Sequence, residues 1–319
     1  MKTFLVILKS ILYGWVTSAR DFFAIICKMC SRWKFQRNMD RVVSPNRCVP
    51  INDPAFVLPD PLIYDQYYLT SLGLAVTWDN PDIQLYLGGS PVSSSLLAPG
   101  TTYEVVAQIW NNSTDCPVVA MPVAFSFLEF GVGTTSVPIG STEVNLGVKG
   151  GPGCPAYATM PWTTPITPGH YCIQVLLQPV ADTNFNNNLG QENTNVGTAN
   201  SPAVFTFTLR NDTRRTQAYK FEVDAYTPGT PDPCGTGPND AKARAARLAR
   251  HKRGSHPVPP GWQIVISPDA PSLLVGQSIP ITVTATPPPG LTGSSQILNV
   301  NAFHARGIAG GMTFTVNII

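Results

Sequence analysis

The chain has 319 residues, room for two domains of ordinary size, with 13% charged residues and a formal net charge of +2. That near-neutral balance gives overall charge no hold on nucleic acid or a membrane, and 26 glycines and 31 prolines beside frequent Thr, Val and Tyr favour short strands over long helices. Charge is concentrated locally. Lys2, Lys9, Arg20, Lys28, Arg32, Lys34, Arg37 and Arg41 crowd the N-terminus, and a second basic cluster spans Lys242 to Arg253.

Residues 2–34 contain no proline and one glycine. On a helical wheel at about 100° per residue, Lys2, Lys9, Tyr13, Arg20, Lys28 and Arg32 fall on one face. Phe4, Leu8, Ile11, Trp15, Phe22 and Ile26 fall on the other. A wide apolar face opposite a basic one is the pattern of a helix lying in a membrane interface. Three other readings stay open: a cleaved export segment with Thr17-Ser18-Ala19 at the cut, a helix packed on its own sandwich or a partner, and a spanning helix. Arg20 and Asp21 oppose the last. Cys27 and Cys30 read as thiols on this helix, because no second Cys or His pair stands at zinc-binding spacing.

Residues 35–63 form a basic, then proline-rich connector, too dense in proline for a helix. A first β domain is expected over 64–200, with strands at Leu74–Trp78, Ile83–Leu87, Thr102–Trp110, Val118–Phe130, Glu143–Val148, Ala156–Met160 and His170–Leu177. Turn signals such as Asp79-Asn80-Pro81, Pro99-Gly100 and Pro168-Gly169 separate them. Short strands at this spacing, with no helical stretch between them, predict a sandwich with Greek-key connections. The apolar run from His170 to Leu177 leads into a loop, Asp182 to Asn193, rich in Asn.

A second, smaller sandwich is expected over 201–319. Its strands are Val204–Leu209, Tyr219–Tyr226, Trp262–Ile266, Ile279–Thr286, Ile297–Ala302 and Met312–Ile318, split by Pro268, Gly276, Pro287-Pro288-Pro289-Gly290 and Gly310-Gly311. Asp240 can cap an Ala-rich helix over 240–253. Charges lie all round that helix, so it is expected to project as an insertion. The fold class is therefore all-β: two tandem Ig-like sandwiches, an N-terminal amphipathic helix and one helical insertion.

Seven cysteines is an odd number, so an exported chain keeps at least one unpaired within the molecule. Cys116 and Cys154 sit in turn-rich segments where a disulfide could staple two loops. Cys172, inside a strand, reads as a small buried hydrophobe.

Enzyme motifs are absent: there is no G-x-S-x-G elbow, no H-E-x-x-H and no phosphate-binding G-x-x-x-x-G-K-[ST]. The glycine-rich run Gly147 to Gly153 lacks the Lys and the helix that such a loop needs, and reads as a hairpin. His251 and His256 do not share a helix face. Three binding chemistries remain. Asp182, Asn184, Asn186 and Glu192 offer hard oxygens for Ca²⁺, without EF-hand spacing, and the competing reading is that these Asn residues only shape the loop. Arg244, Arg247, Arg250 and Arg253 could face an anionic lipid or phosphate surface, against a plain solvated helix. Trp78 and Trp162 could be exposed platforms for sugar rings, against the commoner role of a sandwich Trp in the core.

These residues resemble two known domain types. Gly169-His-Tyr-Cys-Ile-Gln-Val175 followed by the Asn-rich turn of Asp182 to Asn188, with Thr102-Tyr-Glu-Val-Val-Ala-Gln-Ile-Trp-Asn111 ending on Asn, looks like the bacterial CARDB domain, a cell-adhesion-related Ig-like module. The region from Ala203 onward is similar to NPCBM-associated Ig-like domains, on Phe207-Thr-Leu-Arg-Asn211, Gly261-Trp262, Val275-Gly276-Gln277-Ser278 and a Gly-Gly before the last strand. Its basic helical insertion departs from that pattern. The resemblance implies a non-catalytic structural, adhesion or binding protein at a membrane or cell surface, with a carbohydrate-binding accessory module as the alternative. It implies no required cofactor beyond the Ca²⁺ question and no specific nucleic acid. The expected partners are another protein or a surface polysaccharide, with a membrane contact through residues 2–34. The expected location is membrane-associated or extracytoplasmic, and a cytoplasmic one stays open.

Overall fold

The structure, a computed structural model, describes residues 58–129, 131–196, 204–228, 245–246, 249–291 and 293–318. The expected N-terminal helix, nearly all of the connector, and Arg244 and Arg247 lie outside the described residues.

Two β-sandwiches follow one another, as the strand pattern predicts. In the first, β1 (Pro61–Leu62), β4 (Thr102–Asn111), β2 (Ile83–Leu87) and β3 (Ser90–Val92) lie in that order, and β8 (Ala156–Thr163) pairs with the other side of β4. The facing sheet has the order β10 (Leu189–Val196), β9 (Gly169–Leu177), β5 (Val118–Glu129), β7 (Ser136–Leu146). Alternation along the strands builds the core between them. Tyr103, Val105, Ala107 and Ile109 of β4 meet Met121, Val123 and Phe125 of β5 and Ile173, Val175 and Leu177 of β9, all buried. Most intervening positions, polar in Glu104 and Gln108 but apolar in Val106 and Ala124, are less buried, so a register slip of one residue would exchange the faces.

The second sandwich sets β14 (Gln263–Ser267), β16 (Ser278–Thr286) and β11 (Val204–Arg210) against β13 (Lys220–Asp224), β17 (Ser294–His304) and β18 (Gly307–Ile318). A short pair, β12 (Gln217–Ala218) with β15 (Ser272–Leu273), closes one side. Phe207, Leu209, Ile281, Val283, Leu298, Val300, Met312 and Phe314 fill its core.

Four differences from the sequence reading bear on the candidate sites, each for a tertiary reason. Leu74–Trp78 is not a ladder strand: it is an extended connector with one bridge, Leu74 to Lys252, whose apolar residues are buried against neighbouring elements. Gln66–Ser71, placed in no element by sequence, is a short helix, α1, capped by Asp65, whose side chain accepts from the Tyr68 amide. The Asn-rich stretch does not stay a loop to Asn193. From Leu189 it is β10, paired with β9 along its length, and its buried polar residues find partners inside the protein. Gly310-Gly311 is not a turn but lies inside β18. A Cβ at Gly311 would run into the Trp78 indole and the Val300 carbonyl, and one at Gly310 would press on Val132.

Those last contacts mark how the sandwiches join. The two-residue strand β6 (Gly131–Val132) leaves the first sandwich between β5 and β7 and pairs in parallel with β11 of the second. Val132 belongs to the second core. The insertion is helical at residues 245–246 and 249–250, but its end does not project freely. The His251 carbonyl accepts from the Ala75 amide at 2.8 Å, and the Arg253 amide donates to the Gly73 carbonyl at 2.9 Å.

Candidate functional site

The loop after β9 is shaped by side chains that imitate backbone. The Asp182 carboxylate accepts from the Asn184 amide at 2.8 Å, and Asn184 Oδ1 accepts from the Asn186 amide at 3.3 Å, two successive Asx-turns. Asn187 and Asn188 turn inward. Asn188 Nδ2 donates to Asp182 Oδ2 at 2.7 Å, and Asn187 Nδ2 donates to Asp60 Oδ1 at 3.1 Å. Asp60, just ahead of β1, also accepts from Asn112 Nδ2 at 2.9 Å, and Lys149 Nζ reaches Asn112 Oδ1 at 3.0 Å. Asp60, Asp182, Asn187 and Asn188 are 1%, 7%, 3% and 4% exposed. Burial pushes the Asp182 carboxyl up to about 6 against the pull of its bonds from Asn184 and Asn188, and the nearby Asp60 charge adds to the push.

Of the four residues expected to hold Ca²⁺, Asp182, Asn184 and Asn186 therefore share the loop, while Glu192 does not join them. Glu192 sits on β10, 2% exposed, where its carboxylate accepts from the Asn80 amide. Burial and the Asp79 carboxylate hold its pKa well above the ordinary carboxylate range. Asp60, Asn187 and Asn188 take its place in the cluster. Asp60 escaped sequence reading because it lies 122 positions from Asp182 in the chain (182 − 60) and is brought there by backbone bonds from Thr183 to Pro59 and from Ile63 to Asn187.

A polar spine extends from this end along β10. Asp65 accepts from the Tyr68 amide and, through its other oxygen, from the Leu189 amide, both at 2.9 Å. Burial pushes its carboxyl up to about 7 despite those bonds. Gln66, fully buried, donates from Nε2 to the Gln191 carbonyl at 2.6 Å and accepts from the Gln191 amide at 3.3 Å, so its side chain acts as one rung of a strand beside β10.

The expected sugar platforms are corrected by burial. Trp162 is 2% exposed and packs in the first core with its ring 5.9 Å from Phe127. Trp78 is 1% exposed and is the main side chain of the inter-sandwich junction. Its Nε1 donates to Asn301 Oδ1 at 2.9 Å, its backbone amide donates to Thr313 Oγ1 at 2.7 Å, and Tyr67 meets it edge-on at 5.9 Å. Asp224 stands behind: it accepts from Asn299 Nδ2 at 2.7 Å and Asn301 Nδ2 at 3.3 Å, while Thr313 donates to Asn299 Oδ1 at 2.6 Å. Beside Trp78 lies a cavity of about 210 Å³ between the sandwiches, bordered by Cys172, Gln174, Asp212 and Gly310. Cys172 is buried, as its place in a strand predicts, and burial pushes its thiol far above the ordinary range.

The basic cluster is partly engaged. Arg250 is exposed, whereas Arg253 lies 3.5 Å from Glu222 and 4.8 Å from the Phe303 ring centre. Cys116 and Cys154 are not joined by a disulfide, and both border Asn111: its Nδ2 donates to the Cys116 carbonyl at 2.8 Å, and its backbone amide lies 3.4 Å from Cys154 Sγ. Among the described residues no three His, Cys, Asp or Glu side chains gather as a metal group, and no helix is long and apolar enough to cross a membrane.

No family model matches the chain, and no curated protein matches it in sequence. Several solved structures do resemble it. They include the CARDB domain of a Pyrococcus furiosus protein in complex with di-metal ions, at 17% identity over 44% of this chain and 96% of that domain, with a TM-score of 0.29. The Yersinia pseudotuberculosis adhesin InvE matches at 16% identity over 70% of this chain and 56% of its own, with a TM-score of 0.21. The D0-D1 domain of intimin matches at 14% identity over 73% of this chain and 97% of its own, with a TM-score of 0.25. Scores of that size assign neither a family nor an activity.

Proposed function

We propose that the chain is a non-catalytic structural and adhesive protein that displays a two-sandwich body outside the cytoplasm, held at a membrane through residues 2–34. The observation that carries this reading is the junction. Trp78, β6 and the 251–253 segment tie the sandwiches together by hydrogen bonds and shared core, which suits a stiff spacer or display element. Polar side chains near the junction are spent on that task, with Asp224 and Asn301 bonded to one another and to the backbone or to Trp78. An enzyme instead needs a cleft in which a nucleophile, a base and an orienting group converge. Trp78 and Trp162 are core residues, so the carbohydrate-binding alternative has lost the platforms expected for it. Another protein or a surface polysaccharide remains the partner class we favour, and the second sandwich's likeness to NPCBM-associated domains belongs to this same reading.

Protease treatment of intact cells that make the chain, followed by fractionation and N-terminal mapping, tests it. The expected result is a membrane-fraction protein with residue 1 intact whose sandwiches are cut or released from outside. A protease-protected chain in the cytosolic fraction would overturn it.

A further inference from the structure

We infer that the loop end of the first sandwich is a hard-cation site, taking Ca²⁺ between the carboxylates of Asp60 and Asp182 with the amide oxygens of Asn187 and Asn188 as further ligands. Two carboxylates brought together from distant parts of the chain do not by themselves make a site. The independent observation is that Asn187 Oδ1 and Asn188 Oδ1 are buried without any hydrogen-bond partner, on side chains 97% and 96% buried by the complement of their exposures of 3% and 4%.

Each of these amides touches one of the carboxylates through its Nδ2, at 3.1 Å to Asp60 and 2.7 Å to Asp182. The unpaired oxygen is the other terminal atom of the same planar amide, so half a turn of the amide brings it to the carboxylate. Rotating either amide by half a turn exchanges the two atoms and sets an oxygen against a carboxylate oxygen. One orientation leaves an acceptor bare, and the other sets two acceptors face to face. An orphaned buried acceptor is costly, and the same predicament occurs at two adjacent residues. A cation between the carboxylates resolves both, since it accepts oxygen from every side and balances the two negative charges.

The ligand chemistry selects the ion class. Carboxylate and amide oxygens suit hard cations, and Ca²⁺ tolerates an irregular shell completed by water better than Mg²⁺, which demands octahedral order. No thiol or imidazole belongs to this cluster, which sets zinc and copper aside. The adjacent turns formed by Asp182 and Asn184 hold the loop in place, but Asn184 and Asn186 are not ligands in this assignment.

Titration calorimetry and thermal melting of the purified full chain, with CaCl₂ alone and MgCl₂ alone as probes, test the inference. The expected result is one Ca²⁺ bound per chain with a rise in Tm, weaker binding of Mg²⁺, and at least about tenfold weaker Ca²⁺ binding in Asp182→Asn, as ligand charge count dictates. Val180→Ser, on the exposed rim of the loop, should bind like the parent. Asn187→Asp guards against a variant that fails to fold: it adds a third carboxylate, so its Tm should drop without Ca²⁺ and recover with it. Absence of heat and of any Tm shift in both cation arms overturns the site. So does Ca²⁺ binding that Asp182→Asn leaves unchanged, or an Asn187→Asp chain that stays destabilised in Ca²⁺, which would mean that water satisfies the amides.

Discussion

The polar cluster at the junction and the one at the loop end of the first sandwich are built from the same residue types, Asp, Asn and Thr, yet they close differently. Around Asp224, both carboxylate oxygens, both atoms of the Asn299 and Asn301 amides and the Trp78 indole N–H are hydrogen-bonded. Around Asp182 and Asp60, the Asn187 and Asn188 nitrogens are used and their oxygens are not, and Asn184 Nδ2 is also unpartnered. A fully satisfied buried network rigidifies and specifies one arrangement, while a partly satisfied one is costly, and the proposed cation would complete it. Residue type does not separate the two clusters. The count of unsatisfied atoms does.

Removing the centre of the closed cluster should have the largest effect. Trp78→Ala deletes a buried indole and leaves Asn301 Oδ1 without its donor, an expected loss of about 3–5 kcal/mol, read by urea unfolding. We expect the transition to split in two as the sandwiches uncouple. A single transition with under about 1 kcal/mol lost would show that the junction is not what binds them.

Asp224→Ala keeps the indole but leaves Asn301 Nδ2 without its acceptor and Asn299 Nδ2 with one of two. A loss of about 1–3 kcal/mol is expected, with the fold retained. If Asp224→Ala were neutral, the contrast between a closed and an open cluster would have no energetic content.

Acid should stabilise the protein, because its buried carboxyls are raised. Asp65 goes from 3.8 unfolded to about 7 folded, and Asp182 to about 6, chiefly through burial. The folded chain then holds more protons than the unfolded one between pH 4 and 7. This contribution is present in full below the unfolded value and is lost as pH rises through the folded one. Without added cation, stability measured by chemical denaturation should increase by on the order of 2 kcal/mol from pH 8 to pH 5. Asp65→Asn, which can keep the cap on α1, should flatten that slope, and an unaltered slope would place the titration elsewhere.

The smallest effect is expected at the loop rim. Val180 is fully exposed and Phe185 59% exposed, so Val180→Ser and Phe185→Ser should each shift stability by no more than about 0.5 kcal/mol. A larger loss by thermal melting would mean that this rim is covered in the folded chain.

Asn at strand ends shows how much of the site was legible. Asn111 and Asn211 close β4 and β11 in the same way: Oδ1 accepts from the amide two residues on, and Nδ2 bridges a nearby carbonyl to one from a distant loop, Gly147 or Leu273. Both stand in the segments that carried the family resemblance, and their shaping role follows from residue type and position. Asp182 was legible as a candidate on the same grounds. Asp60 was not, since a carboxylate in a proline-rich stretch carries no local sign of what it will face. Glu192 was misplaced because a polar strand reads as a loop until its partners are known, and Trp78 because an Asp-Asn-Pro turn beside it suggests a surface.

The sequence by itself determined the all-β class and most of the long strands, because alternating burial and turn residues act within a few positions of one another. The tertiary structure alone decided which polar residues are sealed, bonded or left open. Trp78 is core because Gly311 lets it approach, β10 is a strand because Gln66 and Asn80 receive its polar side, and Asp60 meets Asp182 because backbone bonds run from Thr183 to Pro59 and from Ile63 to Asn187. Such satisfaction depends on groups more than a hundred residues apart, and no local pattern encodes it.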